Sequence, residues 1–172
     1  MLVREMKREE CEDLLARLGV GRLACARDNQ PYIVPIYFAS EPGCLYGFST
    51  MGQKIDWMRS NPLVCVEADE VRSHIHWSSV ILVGRYEELP DRPEYTEQRQ
   101  HALSLLEKRP MWWQTGYAAA QTRGKSDQPS PIFYRIHIRG MSGRHVSPDS
   151  VEAILEDAQR KDPHPRHSRW AP

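Results

Sequence analysis

The order of apolar and polar residues along the chain predicts a protein built mainly of β-strands. Runs rich in β-branched and aromatic residues, separated by turn-forming residues, are typical of strands. Six such runs occur, at residues 22–26, 31–39, 44–50, 63–68, 75–89 and 131–143. A polar turn at 27–30 joins the first two runs and predicts a hairpin, which a second short turn extends to a three-stranded meander. Residues 80–83 are all apolar, which predicts a strand buried on both faces.

Four further segments repeat apolar residues at the spacing of an amphipathic helix. They cover residues 8–18, 52–60, 91–108 and 147–159. Asn61 is expected to end the second helix, because the residue before a proline avoids the α conformation, and Asp91 is expected to cap the third. Antiparallel strands decorated by short helices predict a mainly β protein, a small antiparallel barrel with its helices packed outside.

Length and charge narrow the class of protein. The chain has 172 residues, the size of one domain, and we expect residues 1–146 to form it. Residues 147–172 are then a C-terminal helix and a disordered tail rich in histidine and proline. The 23 basic and 23 acidic residues cancel, which excludes partners that need a strong positive field, such as nucleic acid or an anionic membrane surface.

The expected cellular compartment is inferred from the absence of an apolar membrane span or signal peptide and from the spacing of the cysteines. No run approaches the roughly 20 apolar residues of a membrane span, and the first residues have no signal-peptide core. The four cysteines are scattered, with no Cys-x-x-Cys pair, as in proteins of a reducing compartment. We therefore expect a soluble cytoplasmic protein.

The most informative chemistry lies where the third strand leads into the second helix. A helix N-terminus offers unpaired N–H groups and the positive end of the helix dipole. Ser49 and Thr50 add hydroxyl donors, Gly52 allows close approach of the backbone, Gln53 follows it and Lys54 adds a full charge. Together they form a candidate phosphate cradle. The alternative interpretation is an ordinary Ser/Thr helix cap followed by a solvated lysine.

Other candidate sites are weaker. His74 and His76 alternate on one predicted strand, with His137 within reach through the sheet, but no further ligand at suitable spacing completes a metal site, and none is predicted. The adjacent tryptophans Trp112 and Trp113 suit either a lid over a flat ligand or packing against the barrel. The chain has no nucleophile elbow, P-loop, dinucleotide fingerprint or HExxH pair, so an enzyme of this sequence would take its chemistry from a cofactor.

Several short segments, in this order and spacing, resemble a known family. They are GRLAC at 21–25, PYIVPIYF at 31–38, GQK at 52–54, Asn61-Pro62 with Val64-Cys65, WSSV at 77–80 with Gly84-Arg85, and Arg135-Ile136 with SGR at 142–144. Over residues 3–145 the chain resembles the pyridoxamine phosphate oxidase-related, FMN-binding split-barrel proteins, and within them the nitroimidazole-resistance (Nim-like) branch.

The resemblance implies a six-stranded antiparallel split β-barrel that forms a homodimer, with FMN held in clefts between the subunits. Residues of the second strand would border the isoalloxazine ring: Val34, Pro35, Ile36 and Tyr37. Residues of the cradle would hold the ribityl phosphate: Ser49, Thr50, Gln53 and Lys54. Residues of the fifth strand would line the cleft: Trp77, Ser78 and Ser79.

The function that the resemblance implies is an FMN-dependent oxidoreductase of the flavin reductase or oxidase type, acting on a small aromatic or heterocyclic substrate. No side chain is assigned as a catalytic acid, base or nucleophile. Phe48 stands where many Nim-like proteins have a histidine, so the resemblance does not extend to chemistry that needs that imidazole. The alternatives are a deazaflavin- or haem-binding protein, or a ligand-binding module without turnover, in which histidines such as His74, His76, His164 or His167 are ligands.

Overall fold

The computed structural model describes residues 3–109 and 131–149. Its strands are β1 (Arg4–Met6), β2 (Val20–Arg27), β3 (Gln30–Tyr37), β4 (Ala39–Glu41), β5 (Cys44–Ser49), β6 (Leu63–Ser73), β7 (His76–Leu89) and β8 (Ile132–Val146). Its helices are α1 (Arg8–Arg17), α2 (Gln53–Ser60) and α3 (Thr96–Glu107), the last preceded by a 3-10 turn at Pro93–Tyr95. Most of the predicted helix over 147–159 lies outside the described residues, as do Trp112, Trp113, His164 and His167.

The mainly β, antiparallel architecture is confirmed. All eight strands belong to one sheet with the order β3-β2-β6-β7-β8-β5-β4, and β1 pairs with β8. Two short strands, β1 and β4, were not among the six predicted, because segments of three residues carry too little periodicity to be recognised. No described helix is both long enough and apolar enough to cross a membrane.

The predicted three-stranded meander is wrong. β2 and β3 form the expected hairpin, with Asp28 and Asn29 in the left-handed conformation that a tight two-residue turn requires. β5, however, pairs with β4 and β8 and not with β3. The short strand β4 lies at the opposite edge of the sheet from β3, so these two strands form the two ends of the strand order.

Two hydrophobic clusters hold the sheet and helices together. The larger contains inward-facing residues of the strands with the apolar faces of α1 and α2, including Leu14, Leu23, Ile55, Met58 and Leu82. The smaller lies under α3, whose Ala102 and Leu106 pack on Tyr46, Leu89 and Phe133. α3 begins at Thr96 without a side-chain cap, so the predicted capping role of Asp91 is wrong. The end of α2 at Asn61 is as predicted.

One face of the central strands carries exposed apolar residues, contrary to the prediction for residues 80–83. Val80 and Leu82 are fully buried, but Ile81 and Val83 on the opposite face are 47% and 51% exposed. They share this outer face with Leu63 and Val71 of β6 and with Ile33 of the edge strand β3. A continuous apolar run cannot distinguish a strand covered on both sides from one whose second apolar face is left open.

Substitution of Gly47 by alanine is expected to destabilise the fold by about 1–3 kcal/mol, the usual result of overpacking a core. A Cβ at this position would lie 2.6 Å from Cζ and Oη of Tyr134, a ring that is 1% exposed and cannot move aside. The control is Gly19→Ala, whose Cβ would make only an ordinary contact of 3.5 Å with Arg109. Equal denaturation midpoints for the two variants would contradict the clash.

Candidate cofactor site

The segment from β5 to α2 has no side-chain cap. Ser49 ends β5, and its hydroxyl donates a hydrogen bond to the carbonyl of Thr50 at 2.9 Å. The N-cap position is Gly52, whose carbonyl accepts the N–H groups of Ile55 at 3.0 Å and Asp56 at 3.1 Å. The alternative interpretation of this segment as a Ser/Thr cap is therefore wrong. No side chain of the described part of the chain accepts a hydrogen bond from the first amides of the helix, which leaves them available to an anion.

Lys54 is a half-buried cation for which no described residue supplies a counter-ion. Burial lowers the pKa of its ammonium group, and within residues 3–109 and 131–149 no carboxylate pairs with it. The ionisable group that acts on it there is the Cys25 thiol, whose own pKa is raised by burial. By contrast, Arg59 and Arg135 each bind a carboxylate through two nitrogens. An unpaired cation beside free helix amides favours a bound anion.

An aromatic group flanks the cradle on α2, and sequence reasoning missed it. The Trp57 ring lies 5.4 Å from the Tyr32 ring of β3, and the Arg27 guanidinium lies 5.4 Å over the indole. Trp57 and Lys54 are three residues apart on one helix, which was the available signal. Its contacts with Tyr32 and Arg27 depend on how α2 packs on the hairpin, and periodicity does not contain that information.

The segment expected to border a ring alternates between two faces of the edge strand β3. Val34 and Ile36 pair with Leu23 and Gly21 and face the barrel core, where Ile36 is almost fully buried. Pro35 projects from the opposite, outer face, where it is exposed. Tyr37 packs against the smaller hydrophobic cluster. Within one chain, Pro35 is thus the member of this segment that is open to a ligand on the outer face.

The residues expected on the fifth strand lie on β7 and also divide between its faces. The Ser78 hydroxyl lies 2.8 Å from Nδ1 of His145, and the Ser79 hydroxyl donates to Glu67 at 3.0 Å. Trp77 is half-buried and pairs with residues of β6 and β8 on either side. Both serines therefore have protein partners, but only Ser79 lies on the face of β7 that carries the exposed Ile81 and Val83.

A polar network joins the outer face of β2, β6 and β7, and sequence reasoning missed it too. The Arg22 guanidinium binds Glu67 at 2.8 Å and also Asp69, and Glu67 accepts the hydroxyl of Ser79. Pro35 of β3 is the direct pairing partner of Arg22 of β2. The structure thus brings Pro35, Ser79 and Trp77 onto one face, whereas the cradle lies at the start of α2.

The histidines do not form the arrangement expected from alternation. His74 lies in the turn between β6 and β7, so it does not share a strand face with His76, and that prediction is wrong. The His76 ring lies 6.5 Å from the His145 ring, while His137 binds Glu87. Throughout the described part of the chain, no group of three or more histidine, cysteine or acidic side chains is arranged to hold a metal ion.

The chain is similar to known proteins in sequence and in fold. Residues 7–145 match the sequence model of the pyridoxamine 5′-phosphate oxidase family. An uncharacterized protein of Rhizobium meliloti (strain 1021) is 47% identical over 144 residues, which cover 84% of this chain and 95% of that protein. The crystal structure of an FAD-binding protein from Mesorhizobium loti is 45% identical with a TM-score of 0.69, and the alignment covers 86% of this chain and 98% of that one.

A more distant structure shares the fold. It is a 5-nitroimidazole antibiotic resistance protein from Bacteroides thetaiotaomicron, 20% identical with a TM-score of 0.57 over 83% of this chain and 88% of that one. The resemblance in short segments, the split-barrel fold and the match over residues 7–145 agree with one another. The chain belongs to the pyridoxamine 5′-phosphate oxidase-related family of flavin-binding split barrels.

Proposed function

We propose that this protein binds FMN and is an oxidoreductase of the flavin reductase or oxidase type, acting on a small aromatic or heterocyclic substrate. The observation that carries the proposal is Lys54, a half-buried cation without a described counter-ion at the uncapped start of α2. A phosphate monoester there would accept from the helix amides and neutralise the ammonium group. The FAD-binding relative from Mesorhizobium loti supports a flavin in this fold.

FMN is preferred to FAD on charge. Both carry the isoalloxazine ring and a ribityl phosphate, but FMN ends in a monoester of charge about −1.5 to −2 at neutral pH, like other phosphate monoesters. In FAD the same phosphorus is part of a diester-like pyrophosphate with less charge to offer one lysine. An exposed helix start and a single cation match the smaller, more charged group.

The chain's own residues would bind and orient the cofactor. Lys54 and the first amides of α2 would hold the phosphate, while Pro35 and Trp77 would offer apolar surfaces to a flat ring and exclude water from it. The Arg22–Glu67–Ser79 network would fix the polar edge of the cleft. The flavin, when bound, supplies electron or hydride transfer, and no side chain is assigned a proton-transfer role.

We include a homodimer in the proposal because large apolar side chains are exposed on the outer face of the sheet. Ile33, Leu63 and Val83 are 63%, 54% and 51% exposed on it. A groove of about 460 Å³ has Leu63, Val83 and Arg139 in its lining. A second copy would cover this apolar surface and close a cleft beside Pro35 and Trp77, so each cofactor would contact both subunits.

An absorption spectrum of the purified protein, followed by titration with FMN, FAD and haem, tests the proposal. We expect the visible bands of flavin, and tighter saturable binding of FMN than of FAD. Tighter binding of FAD would overturn the assignment of FMN as the cofactor but would still support a flavin-binding protein. A colourless protein without saturable flavin binding, or a Soret band in place of flavin bands, would overturn the proposal.

A further inference from the structure

A second group of reactive side chains lies on β5, β7 and β8, apart from the cradle. Cys44 and His137 are direct partners across β5 and β8, and Sγ of Cys44 lies 3.6 Å from Nδ1 of His137. The other ring nitrogen, Nε2, lies 2.5 Å from Oε2 of Glu87. A thiol, an imidazole and a carboxylate therefore follow one another in hydrogen-bonding order.

The carboxylate fixes which nitrogen faces the sulfur. Arg135 binds both Glu87 oxygens, at 2.8 and 3.1 Å, and so holds the pKa of that carboxyl below its usual value. An ionised carboxylate only accepts hydrogen bonds, so Nε2 of His137 carries a hydrogen. In the neutral ring, Nδ1 then presents its lone pair to the Cys44 thiol, which is the orientation of a general base.

The surroundings keep the thiol protonated until it reacts. Burial raises the pKa of the Cys44 thiol, Arg135 and the Tyr46 hydroxyl oppose this, and Glu41 and Glu87 add to it. A half-buried thiol of raised pKa needs a base during attack, because little thiolate is present beforehand. His137 is the base in contact with it.

We propose that Cys44 is a modification site, a thiol oxidised to sulfenic acid by a hydroperoxide with His137 as the base. Sγ attacks one peroxide oxygen, the S–O bond forms and the O–O bond breaks. The thiol proton passes to Nδ1 and then to the leaving hydroxide or alkoxide, which departs as water or alcohol. Sulfur loses two electrons and the peroxide gains them. A small neutral oxidant suits a thiol that carboxylates flank.

The test uses the full-length protein, hydrogen peroxide as the oxidant and dimedone to trap sulfenic acid, with the labelled cysteine identified by peptide mass spectrometry. We expect Cys44 to be labelled faster in the native protein than in the urea-unfolded chain, although burial alone would slow it. His137→Gln should lower the native rate at least about tenfold, within the usual effect of a general base. Glu87→Gln should lower it less, because the base remains but its orientation is lost.

The matched control is His101→Gln. His101 belongs to the same polar neighbourhood and binds Glu41 at 2.9 Å, but it does not contact the sulfur. Its substitution should change the rate by less than about twofold, since it removes no base from the reaction. If Cys44 of the wild-type protein is labelled more slowly in the native state than in the unfolded chain, the proposal is overturned by that result alone. Equal rates for wild type and His137→Gln, or an equal loss in His101→Gln, would also overturn it.

Discussion

Lys54→Met is expected to weaken FMN binding by about 10- to 100-fold, the loss that corresponds to one charged hydrogen bond of about 1.5–3 kcal/mol. Methionine keeps the length and packing of the aliphatic chain and removes only the charge. The control is Lys108→Met, an exposed lysine at the C-terminal end of α3 that is not part of the cradle. Calorimetric titration gives the dissociation constants, and equal values for the two variants would refute the role of Lys54.

The stability of the cofactor-free Lys54→Met variant shows whether weaker FMN binding comes from the lost charge or from damaged folding. Burial lowers the pKa of Lys54 in the folded state, so its charged form is disfavoured there relative to the unfolded chain. That unfavourable contribution is present at neutral pH and disappears as the pH rises above the unfolded pKa. Lys54→Met without flavin should therefore be as stable as wild type or more so. A large loss of stability would mean that weak FMN binding reflects damaged folding.

Val83→Asp is expected to dissociate the proposed dimer and therefore to lower the affinity for FMN. The side chain is 51% exposed in the single chain, so the monomer tolerates a carboxylate there. In the proposed dimer it would be buried against apolar surface, where an unpaired charge costs several kcal/mol, enough for a dissociation constant at least about 100-fold higher. Light scattering coupled to gel filtration, repeated during FMN titration, measures both effects.

The comparison for this variant is Leu103→Asp. Leu103 is an exposed apolar residue of α3, the helix that packs on the smaller hydrophobic cluster. The Leu103→Asp variant should remain dimeric and bind FMN with the affinity of the wild-type protein. A monomeric wild-type protein that binds FMN tightly would refute the shared cleft while leaving the cradle intact.

Local features of this fold could be predicted from the sequence. The turn at Asp28 and Asn29, the end of α2 at Asn61 and the position of Lys54 at the start of that helix depend on neighbours in the chain. The sequence pattern also suggested an anion site at Lys54. That the ammonium group lacks a carboxylate partner is known only once the fold has placed every described acid elsewhere.

What could not be predicted depends on register between distant strands. Ser79 binds Glu67 because β6 and β7 pair, and nothing near Ser79 in the sequence indicates that partner. The position of β5 next to β8, where a meander was expected, is likewise decided by long-range packing. The exposure of Val83 depends on which neighbour covers the sheet.

The last described strand has a consequence for how the chain folds during synthesis. β8 pairs with β7, β5 and β1, and its residue His137 meets Cys44, which is 93 positions earlier. Contacts between such distant residues close large loops and slow folding. Until the ribosome has released residues 132–146, β1 and β5 lack the strand that joins them to the sheet. Folding should therefore finish only after nearly the whole domain has emerged, and a nascent chain stopped before residue 132 should stay open to proteases.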